Sequence, residues 1–403
     1  MSQLMDSESP VKRSLTRDSV LAAHTLIKPH IHQTPVLTNK TLDRICSTPR
    51  APNKLAPKIN LYLKCENFQK VGAFKYRGAV HALLHLQNGT SSLPGAPTNQ
   101  THSPTILTQS GVITHSSGNH AQALALAAHT FGIPATIVMP HISTPAKIAA
   151  TKGYGARVIF SGSTATERES VVAQLMSEKP GVVLVPPYDA VDIILGQGTM
   201  GIELAEQTAP RKLDAVIAPV GGGGMLSGLA LAFSGTGTRV FGAEPSFQGA
   251  DDCKRGLEAG RRVEHVSSLT IADGVRTPVG VLPWSVISAP GMVRGVFAVG
   301  EEEIRMAMRL IWERVKIVVE PTAALGVAVV LFDEGFREMV RVEVEREGRD
   351  EWDVGVVLSG GNVDLDAAGA LLARGVGQWE VGRGLGVVGV DGDCEPRVQD
   401  VAG

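Results

Sequence analysis

The stretch Lys64–Gly78 reads K-C-E-N-F-Q-K-V-G-A-F-K-Y-R-G and places one lysine, Lys75, between Phe74 and Tyr76. An apolar run typical of a strand precedes the stretch and a run typical of a helix follows, which predicts Lys75 at a loop-to-helix junction. Aromatic neighbours partly desolvate an amine there and make its neutral form less costly. A neutral amine is what a lysine needs to form a Schiff base with an aldehyde. Because a lone lysine is more often a solvated surface residue, the other motifs decide between the two interpretations.

The residues around Lys75 match the lysine motif of a known enzyme family, at Asn67, Gln69, Gly72, Phe74 and Arg77-Gly78. The stretch resembles that of the fold-type II pyridoxal-phosphate enzymes, in particular the serine racemases and the serine/threonine dehydratases. The resemblance extends from about Thr34 to Asp366, and four further motifs occur in the order of the family. It implies an α/β fold of the tryptophan synthase β type, in which two domains each contain a mostly parallel twisted sheet flanked by helices.

The same resemblance implies how the chain is divided. Residues 1–78 and 189–370 would form a larger, cofactor-binding domain, and residues 79–188 would form a smaller inserted domain. Residues 371–403 would be a separate tail, which is rich in Gly and Val and has no clear periodicity. The residues themselves support an α/β class, because strand-like and helix-like runs alternate regularly from Ile113 onwards, as they do in βαβ units with a parallel sheet.

Two polar stretches, 46–58 and 88–109, precede this alternation. The first is rich in Pro and Lys and is predicted to be a surface loop. The second is dense in Gly, Ser, Thr, Pro and Asn, and we predict that it is disordered because it is too polar to pack. It makes the chain longer here than the family pattern, but it falls between motifs rather than inside one.

Composition excludes several classes of function. The chain has 403 residues, of which 43% are hydrophobic, which is enough to form two cores. Its formal net charge of -2 gives no basic surface for nucleic acid. Its four cysteines lack metal-ligand spacing, which indicates reduced thiols inside a cell. The first residues fit no secretory signal, and no apolar run is long enough for a membrane span. We predict a soluble cytoplasmic protein that acts on small molecules. The cysteines are Cys46, Cys65, Cys253 and Cys394.

V-G-G-G-G-M, from Val220 to Met225, follows an apolar strand and opens a helix. Successive glycines let backbone N–H groups point to one place, and a helix N-terminus adds positive potential there, so the loop could bind a phosphate. A plain tight turn is the alternative. The resemblance implies that this loop holds the cofactor phosphate through Gly221, Gly222, Gly223, Gly224 and Met225.

S-S-G-N-H, from Ser116 to His120, also lies between a strand and a helix and could bind a carboxylate. A capped helix start is the alternative, because Ser and Asn are preferred there. By resemblance, Ser116, Ser117, Asn119 and His120 would contact the substrate, and Asn119 also the cofactor. Racemases of the family place a catalytic base at the position of Ser117, on the face opposite the lysine, where many dehydratases have Ala. Ser117 therefore favours a racemase.

Further residues match the family one by one. L-S-G-G-N ends the last strand, and Ser359 would offer its hydroxyl to the pyridine nitrogen of the cofactor, which suits proton transfer and β-elimination. Gly274 lies in a loop that packs beside the cofactor in the family. Arg168 resembles an arginine that reaches the substrate carboxylate. Tyr188 stands where mammalian-type racemases have an Asn near the cofactor, so the substrate preference stays open.

A metal ion and a nucleotide are also implied. Glu244, Asp252 and the carbonyl of Ala250 would form a site for Mg²⁺ or Ca²⁺, because carboxylates and carbonyls are ligands of hard cations, with Asp251 as the rival ligand. Mammalian-type racemases bind ATP between the subunits of a homodimer, and five residues match that site although Val71 replaces a Thr. These five residues are Lys70, Gln122, Tyr154, Lys316 and Asn362.

The sequence thus predicts an enzyme that binds pyridoxal 5'-phosphate and acts on a small hydroxy-amino acid. The first hypothesis is a serine racemase that also dehydrates serine to pyruvate and ammonia, with Lys75 and Ser117 as catalytic residues on opposite faces. The alternatives are a dehydratase of L-threonine, L-serine or 3-hydroxyaspartate without racemisation, a more distant β-replacement synthase, and an inactive cofactor-binding interaction protein.

Overall fold

The computed structural model describes residues 14–49, 56–93, 96, 104–116 and 118–373, with only the backbone of 104–106 and Ala165. The strands are β1 (Val36–Leu37), β2 (Ile59–Cys65), β3 (Val112–His115), β4 (Ala135–Pro140), β5 (Arg157–Ser161), β6 (Val183–Leu184), β7 (Ala215–Pro219), β8 (Arg239–Pro245), β9 (Gly295–Val299) and β10 (Trp352–Leu358). The helices are α1 (Arg17–Ile27), α2 (Lys40–Cys46), α3 (Lys75–Gln87), α4 (Pro104–Ser110), α5 (Asn119–Thr130), α6 (Pro145–Gly153), α7 (Ala165–Glu178), α8 (Val191–Thr208), α9 (Gly224–Phe233), α10 (Asp252–Ala259), α11 (Val281–Ile287), α12 (Glu301–Leu310), α13 (Pro321–Phe332), α14 (Glu334–Arg346) and α15 (Leu365–Ala373).

The strands form two sheets. The larger has six strands in the order β1-β2-β10-β7-β8-β9, and only β1 is antiparallel to its neighbour. The smaller has four parallel strands in the order β5-β4-β3-β6. The central strands β7 and β10 are buried along their whole length, as expected for parallel strands covered by helices on both faces. The predicted fold class is confirmed, whereas the predicted domain boundaries stay a prediction.

The parallel strands bring distant loops to one edge of the larger sheet. The carboxyl ends of β2, β7 and β10 lead into the lysine stretch, the glycine loop and the loop that begins at Ser359. In open α/β sheets, ligands bind outside the carboxyl ends of the strands. In the smaller sheet, the end of β3 leads to Ser116 and Asn119 in the same way. The topology therefore explains why the four loops approach each other.

A buried ion cluster fixes the start of α3 behind Lys75. Arg77 donates to both carboxylate oxygens of Glu66 at 2.8 Å and to Glu203 at 2.9 Å. The ammonium of Lys64 donates to Glu203 at 2.7 Å, and all four side chains are buried. Removing one partner of such a cluster leaves a buried charge uncompensated and typically costs about 3–5 kcal/mol. The cluster thus ties β2, α3 and α8 together two residues from the proposed catalytic lysine.

The prediction that 88–109 is disordered is wrong for the described part of that stretch. Helix α4 spans Pro104–Ser110, and the side chains of Leu93 and Leu107 are buried in the core beneath α3 and α5. Ser92 N donates to the Asp192 carboxylate at 3.0 Å, which fixes the start of the insertion. Two leucines in a polar stretch are thus enough to anchor it.

The stretch 46–58, predicted as a surface loop, begins with the last residue of a helix. Cys46, which we predicted at the start of a surface loop, is buried at the end of α2. Residues 50–55, 94–95, 97–103 and 374–403 lie outside the described residues, and so does Cys394 in the predicted tail. None of the helices in the described part of the chain is long and apolar enough to cross a membrane.

Candidate active site

Lys75 is the first residue of α3 and lies between Pro187, which follows β6 of the smaller sheet, and Ser359, which follows β10 of the larger sheet; we call this region the cleft. Its ammonium donates a hydrogen bond of 2.7 Å to the carbonyl of Pro187, and its Nζ lies 5.2 Å from the centroid of the Phe74 ring. Burial lowers the pKa of Lys75 from 10.5 to about 8. The amine is therefore neutral in a sizeable fraction of molecules near neutral pH, as nucleophilic and proton-transfer chemistry requires.

The glycine loop between β7 and α9 has no room for side chains. A Cβ at Gly221 would lie 2.8 Å from Val275 Cα, and one at Gly222 would lie 2.2 Å from the ring of Tyr188. Gly223 has a φ of +83°, which disfavours any other residue. Met225 lies in the first turn of α9, so the loop opens onto the positive end of a helix. This arrangement fits a phosphate group bound by backbone N–H groups.

Ser359 lies beside the lysine stretch, because its carbonyl accepts a hydrogen bond of 3.1 Å from the N–H of Phe74. Its hydroxyl is buried and has no hydrogen-bond partner among the described residues. A buried hydroxyl without a partner is costly, so one is expected from a bound group. The donor fits a ring nitrogen of a cofactor, as the sequence predicts. This orphaned hydroxyl, the glycine loop and the Lys75 amine together fit pyridoxal phosphate.

Asn119 belongs to a partly buried hydrogen-bond network that crosses the cleft. Its Nδ2 donates to Oε1 of Glu320 at 2.9 Å, and its Oδ1 accepts from Nδ2 of Asn362 at 2.9 Å. The same Asn362 amide donates to the carbonyl of Val71 at 2.7 Å. Burial raises the pKa of Glu320 from 4.5 to about 8, and nearby Asp273 adds to this effect.

Glu320 is a site residue that the sequence analysis missed. It directly precedes the proline that begins α13, where an acidic residue is common for helix stability alone. No motif marks it, and its contact with Asn119 joins residues 201 positions apart. The only available signal was a glutamate next to a long apolar helix, which does not distinguish a site residue from a helix start.

His120 is the second residue of α5, and Ser116 lies in the loop between β3 and α5. The Nε2 of His120 donates to the carbonyl of Val185 at 3.1 Å, while its buried Nδ1 has no partner in the described residues. Burial, helped by the charge of Lys75, lowers the pKa of His120 to about 3, so the ring stays neutral and offers an acceptor. Ser116 Oγ accepts from the N–H of Gly118 at 3.2 Å. Ser117 lies outside the described residues.

Three other predicted residues surround the cleft. Gly274 donates its N–H to Thr322 at 3.0 Å, next to the Val275 that packs on the glycine loop. Tyr188 covers the glycine loop, and burial, helped by Asp189, raises the pKa of its phenol. The guanidinium of Arg168 donates to the carbonyl of Ser163 at 2.8 Å, at the start of its own helix, so its predicted contact with substrate stays a prediction.

The predicted metal ligands lie together at the end of β8. Glu244 is buried and accepts from the N–H groups of Cys253 and Lys254, both at 3.0 Å. Asp252 accepts from Val279 N at 3.2 Å, but its other oxygen is buried and has no partner among the described atoms. Burial raises the pKa of Asp252 to about 6. Two buried carboxylates that disfavour each other's charge fit a divalent cation.

The rival ligand Asp251 forms a salt bridge of 2.9 Å with Arg255. Its charge therefore already has a partner, which favours Asp252 as the ligand. Ala250, whose carbonyl is the third predicted ligand, is buried.

The five residues predicted to contact a nucleotide differ in their hydrogen bonds, burial and backbone conformation. Lys70 donates to the carbonyl of His30 at 2.8 Å and lies over the Tyr76 ring, and Asn362 belongs to the network described above. Gln122 is buried, Tyr154 is half-buried, and Lys316 has a left-handed backbone with φ of 66°. The nucleotide therefore stays a prediction.

Comparisons with known proteins agree with this geometry. The family model described as pyridoxal-phosphate dependent enzyme matches residues 27–341. A serine racemase of Arabidopsis thaliana is 40% identical over 349 residues, which cover 86% of this chain and 93% of that protein. An L-threo-3-hydroxyaspartate ammonia-lyase of Saccharomyces cerevisiae is 39% identical, with 89% and 96% covered. The crystal structure of a serine racemase from Dictyostelium discoideum superposes with a TM-score of 0.71 and 38% identity, covering 87% of this chain and 99% of that one.

Proposed function

We propose, because the chain belongs to the family of pyridoxal-phosphate dependent enzymes, that it interconverts L- and D-serine and also converts serine to pyruvate and ammonia. The observation that carries this proposal is the half-buried Lys75 amine, with a pKa of about 8, in the stretch whose Phe74 N–H bonds to Ser359, a residue with an orphaned hydroxyl. Similar serine racemases from several organisms, each 37–40% identical over most of the chain, support the substrate.

The residues of the cleft would hold the cofactor at separate points. Lys75 would link to its aldehyde carbon, the glycine loop would bind its phosphate, and Ser359 would donate to its ring nitrogen. Asn119, held by Glu320 and Asn362, would contact a ring oxygen. When bound, pyridoxal phosphate withdraws electrons from the substrate α-carbon and so makes the α-proton acidic.

The protein's own groups would then move protons at that carbon. The Lys75 amine removes or returns the α-proton on one face, and Ser117 does so on the other, so transfer between them inverts the centre. His120 stays neutral and can accept a hydrogen bond from the substrate, while the N–H groups at the start of α5 favour its carboxylate. If the β-hydroxyl leaves with a proton as water instead, hydrolysis of the product yields pyruvate and ammonia.

A dehydratase without racemisation is the second candidate. It is favoured by the similarity to the yeast L-threo-3-hydroxyaspartate ammonia-lyase and to a threonine deaminase structure that is 38% identical with a TM-score of 0.69. Incubation with L-serine, D-serine, L-threonine and L-threo-3-hydroxyaspartate, followed by chiral amino-acid analysis and keto-acid detection, separates the two. Formation of D-serine from L-serine supports the racemase, whereas keto acid without D-serine supports the dehydratase. An inactive cofactor-binding protein would give neither product.

We also propose a divalent cation, Mg²⁺ or Ca²⁺, on Glu244 and Asp252 with the Ala250 carbonyl, supported by the unpaired oxygen of Asp252. ATP activation through the five matched residues is proposed from the resemblance alone. Its test is whether ATP lowers the KM for serine in wild type but not in Lys316→Ala. A homodimer and a cytoplasmic location stay predictions of the same kind.

A further inference from the structure

Two histidines that the proposed reaction does not use, His81 and His85, lie one turn apart on α3. Residues four apart share one face of a helix, and here the two rings approach with centroids 4.5 Å apart at an interplanar angle of 74°. Their Nε2 atoms are separated by only 3.1 Å. His81 is buried, whereas His85 is partly exposed, so the pair can be reached from solvent on one side.

The other nitrogen of each ring, Nδ1, is hydrogen-bonded to an oxygen atom. Nδ1 of His81 lies 2.6 Å from the carbonyl of Asp192, and Nδ1 of His85 lies 2.8 Å from the hydroxyl of Thr90. A carbonyl can only accept, so the Nδ1 of His81 carries the ring proton and its Nε2 is left as the nitrogen with a lone pair. Contacts of this kind orient the histidines of metal sites and fix their tautomer.

Two ring nitrogens at 3.1 Å need a hydrogen atom or an ion between them, because two lone pairs would repel each other. In the absence of an ion, this is a proton that His85 donates to His81. We propose that a divalent transition metal ion such as Zn²⁺, Ni²⁺ or Cu²⁺ binds both Nε2 atoms in place of that proton, which moves to Nδ1 of the neutral His85 ring and is donated to the Thr90 hydroxyl. With an ion about 2.0–2.1 Å from each nitrogen, the N–metal–N angle would be roughly 100°, between the values of square-planar and tetrahedral coordination.

The pair lies near the start of the insertion at 88–109, which makes this chain longer than the family pattern. Thr90 and the next two residues belong to that insertion, and Ser91 Oγ and Ser92 N donate to the Asp192 carboxylate at 3.1 and 3.0 Å. Asp192 is the second residue of α8, and α3 begins at Lys75. A bound ion would therefore lie on the helix that begins with the proposed catalytic lysine, with Thr90 of the insertion and the carbonyl of Asp192 orienting its two ligands.

The described residues supply two nitrogen ligands to this ion. Within the described ranges, no group of three or more His, Cys, Asp and Glu side chains is placed to hold a metal. Nitrogen ligands also separate this site chemically from the oxygen-lined pair Glu244 and Asp252, because imidazole suits Zn²⁺, Cu²⁺ and Ni²⁺ while carboxylate and carbonyl suit Mg²⁺.

The test uses the full-length, cofactor-loaded protein without a histidine tag, stripped of transition metals and kept in excess Mg²⁺. Titration calorimetry with ZnCl₂ and NiCl₂ should give one ion per chain, and Cu²⁺ should show electron paramagnetic coupling to two imidazole nitrogens. His85→Ala should weaken binding at least tenfold. His129→Ala, which removes an exposed histidine from α5, should leave the affinity unchanged.

Thr90→Val provides a second variant that keeps both histidines. It removes the oxygen that orients His85, and loss of such a contact typically weakens metal binding about 10–100-fold. The proposal is overturned if wild type binds no ion stoichiometrically, if coupling to a single imidazole is seen, or if His85→Ala and Thr90→Val both bind as tightly as wild type. Circular dichroism and melting curves without metal show whether each variant is folded, and Thr90→Val replaces His85→Ala if the latter is not.

Discussion

The side-chain amide of Asn119 donates a 2.9 Å hydrogen bond to the buried carboxyl of Glu320, and this bond joins the two sheets across the cleft. Asn119 begins the helix after β3 of the smaller sheet, and Glu320 directly precedes the helix that packs on the larger sheet. Because Asn119 also lies in the proposed cofactor and substrate loop, the ionisation of Glu320 changes the charge next to a side chain of the proposed site. This relationship leads to a prediction about pH.

Glu320→Gln should become more stable than wild type as the pH rises. The pKa of Glu320 is about 8 in the folded protein and about 4.5 in the unfolded chain, so its favourable contribution is complete below about pH 4.5 and is lost as the pH rises through 8. Glutamine keeps the acceptor oxygen for Asn119 but cannot ionise. The free energy of unfolding of the variant relative to wild type should increase by at least about 1 kcal/mol between pH 6 and pH 9.

Denaturant unfolding at the two pH values measures this difference. Glu258→Gln, at an exposed position of α10, serves as the matched control and should show no such change. A constant difference between Glu320→Gln and wild type would mean that Glu320 ionises normally.

The rate at which the apoenzyme binds pyridoxal phosphate covalently should report the pKa of Lys75. Only the neutral amine attacks the aldehyde, so the rate should rise about tenfold per pH unit below about pH 8 and level off above it. An ordinary lysine would continue to accelerate to about pH 10.4. Stopped-flow absorbance of the lysine-linked cofactor measures the rate, and Nα-acetyl-lysine in place of the protein corrects for ionisation of the cofactor itself.

Lys75→Ala is the control for this experiment, and it should lose both the absorbance and all turnover. Lys152→Ala, an exposed lysine of α6, should keep both. Borohydride reduction that still attaches the cofactor to the Lys75→Ala chain would place the link at another lysine.

Local motifs made part of this site predictable. The lysine stretch, the glycine loop and the Ser359 loop are each continuous in sequence and each follow a strand, so their chemistry and their place at one edge of a sheet could be inferred together. Glu320 could not be inferred, because its role arises only when α13 and α5 meet in space. The anchoring of the insertion was missed because two leucines, Leu93 and Leu107, carry little weight in the average polarity of the stretch.

Mg²⁺ should raise the melting temperature of wild type and of Asp251→Asn, but not of Asp252→Asn. Asp251 is already paired with Arg255, whereas one oxygen of Asp252 is buried without a partner among the described atoms. An ion that binds only the folded state stabilises it by mass action, by about 2.7 kcal/mol at a hundred times Kd. Calorimetric melting with chelator and then with Mg²⁺ measures the effect.

The stabilisation by Mg²⁺ should also depend on pH. In the metal-free protein the pKa of Asp252 is about 6, raised from 3.8, so its contribution to stability is lost as the pH rises through 6. Mg²⁺ needs the ionised carboxylate, and its stabilising effect should therefore be largest above about pH 6 and fade below it. An Asp252→Asn protein that responds to Mg²⁺ like wild type would remove Asp252 from the site.

Ser117→Ala should abolish the conversion of L-serine to D-serine while ammonia and pyruvate are still released from L-serine. Ser117 lies outside the described residues, and its role as the second base is proposed from its place in the S-S-G-N-H motif. Racemisation needs a proton-transfer group on the face opposite Lys75, whereas elimination from L-serine can proceed from the lysine side alone. Elimination from D-serine should fall about 100-fold or more, because general acid–base groups typically contribute that much. Ser116→Ala, one residue earlier, should affect both enantiomers alike. If Ser117→Ala racemises as well as wild type, the two-base mechanism is wrong.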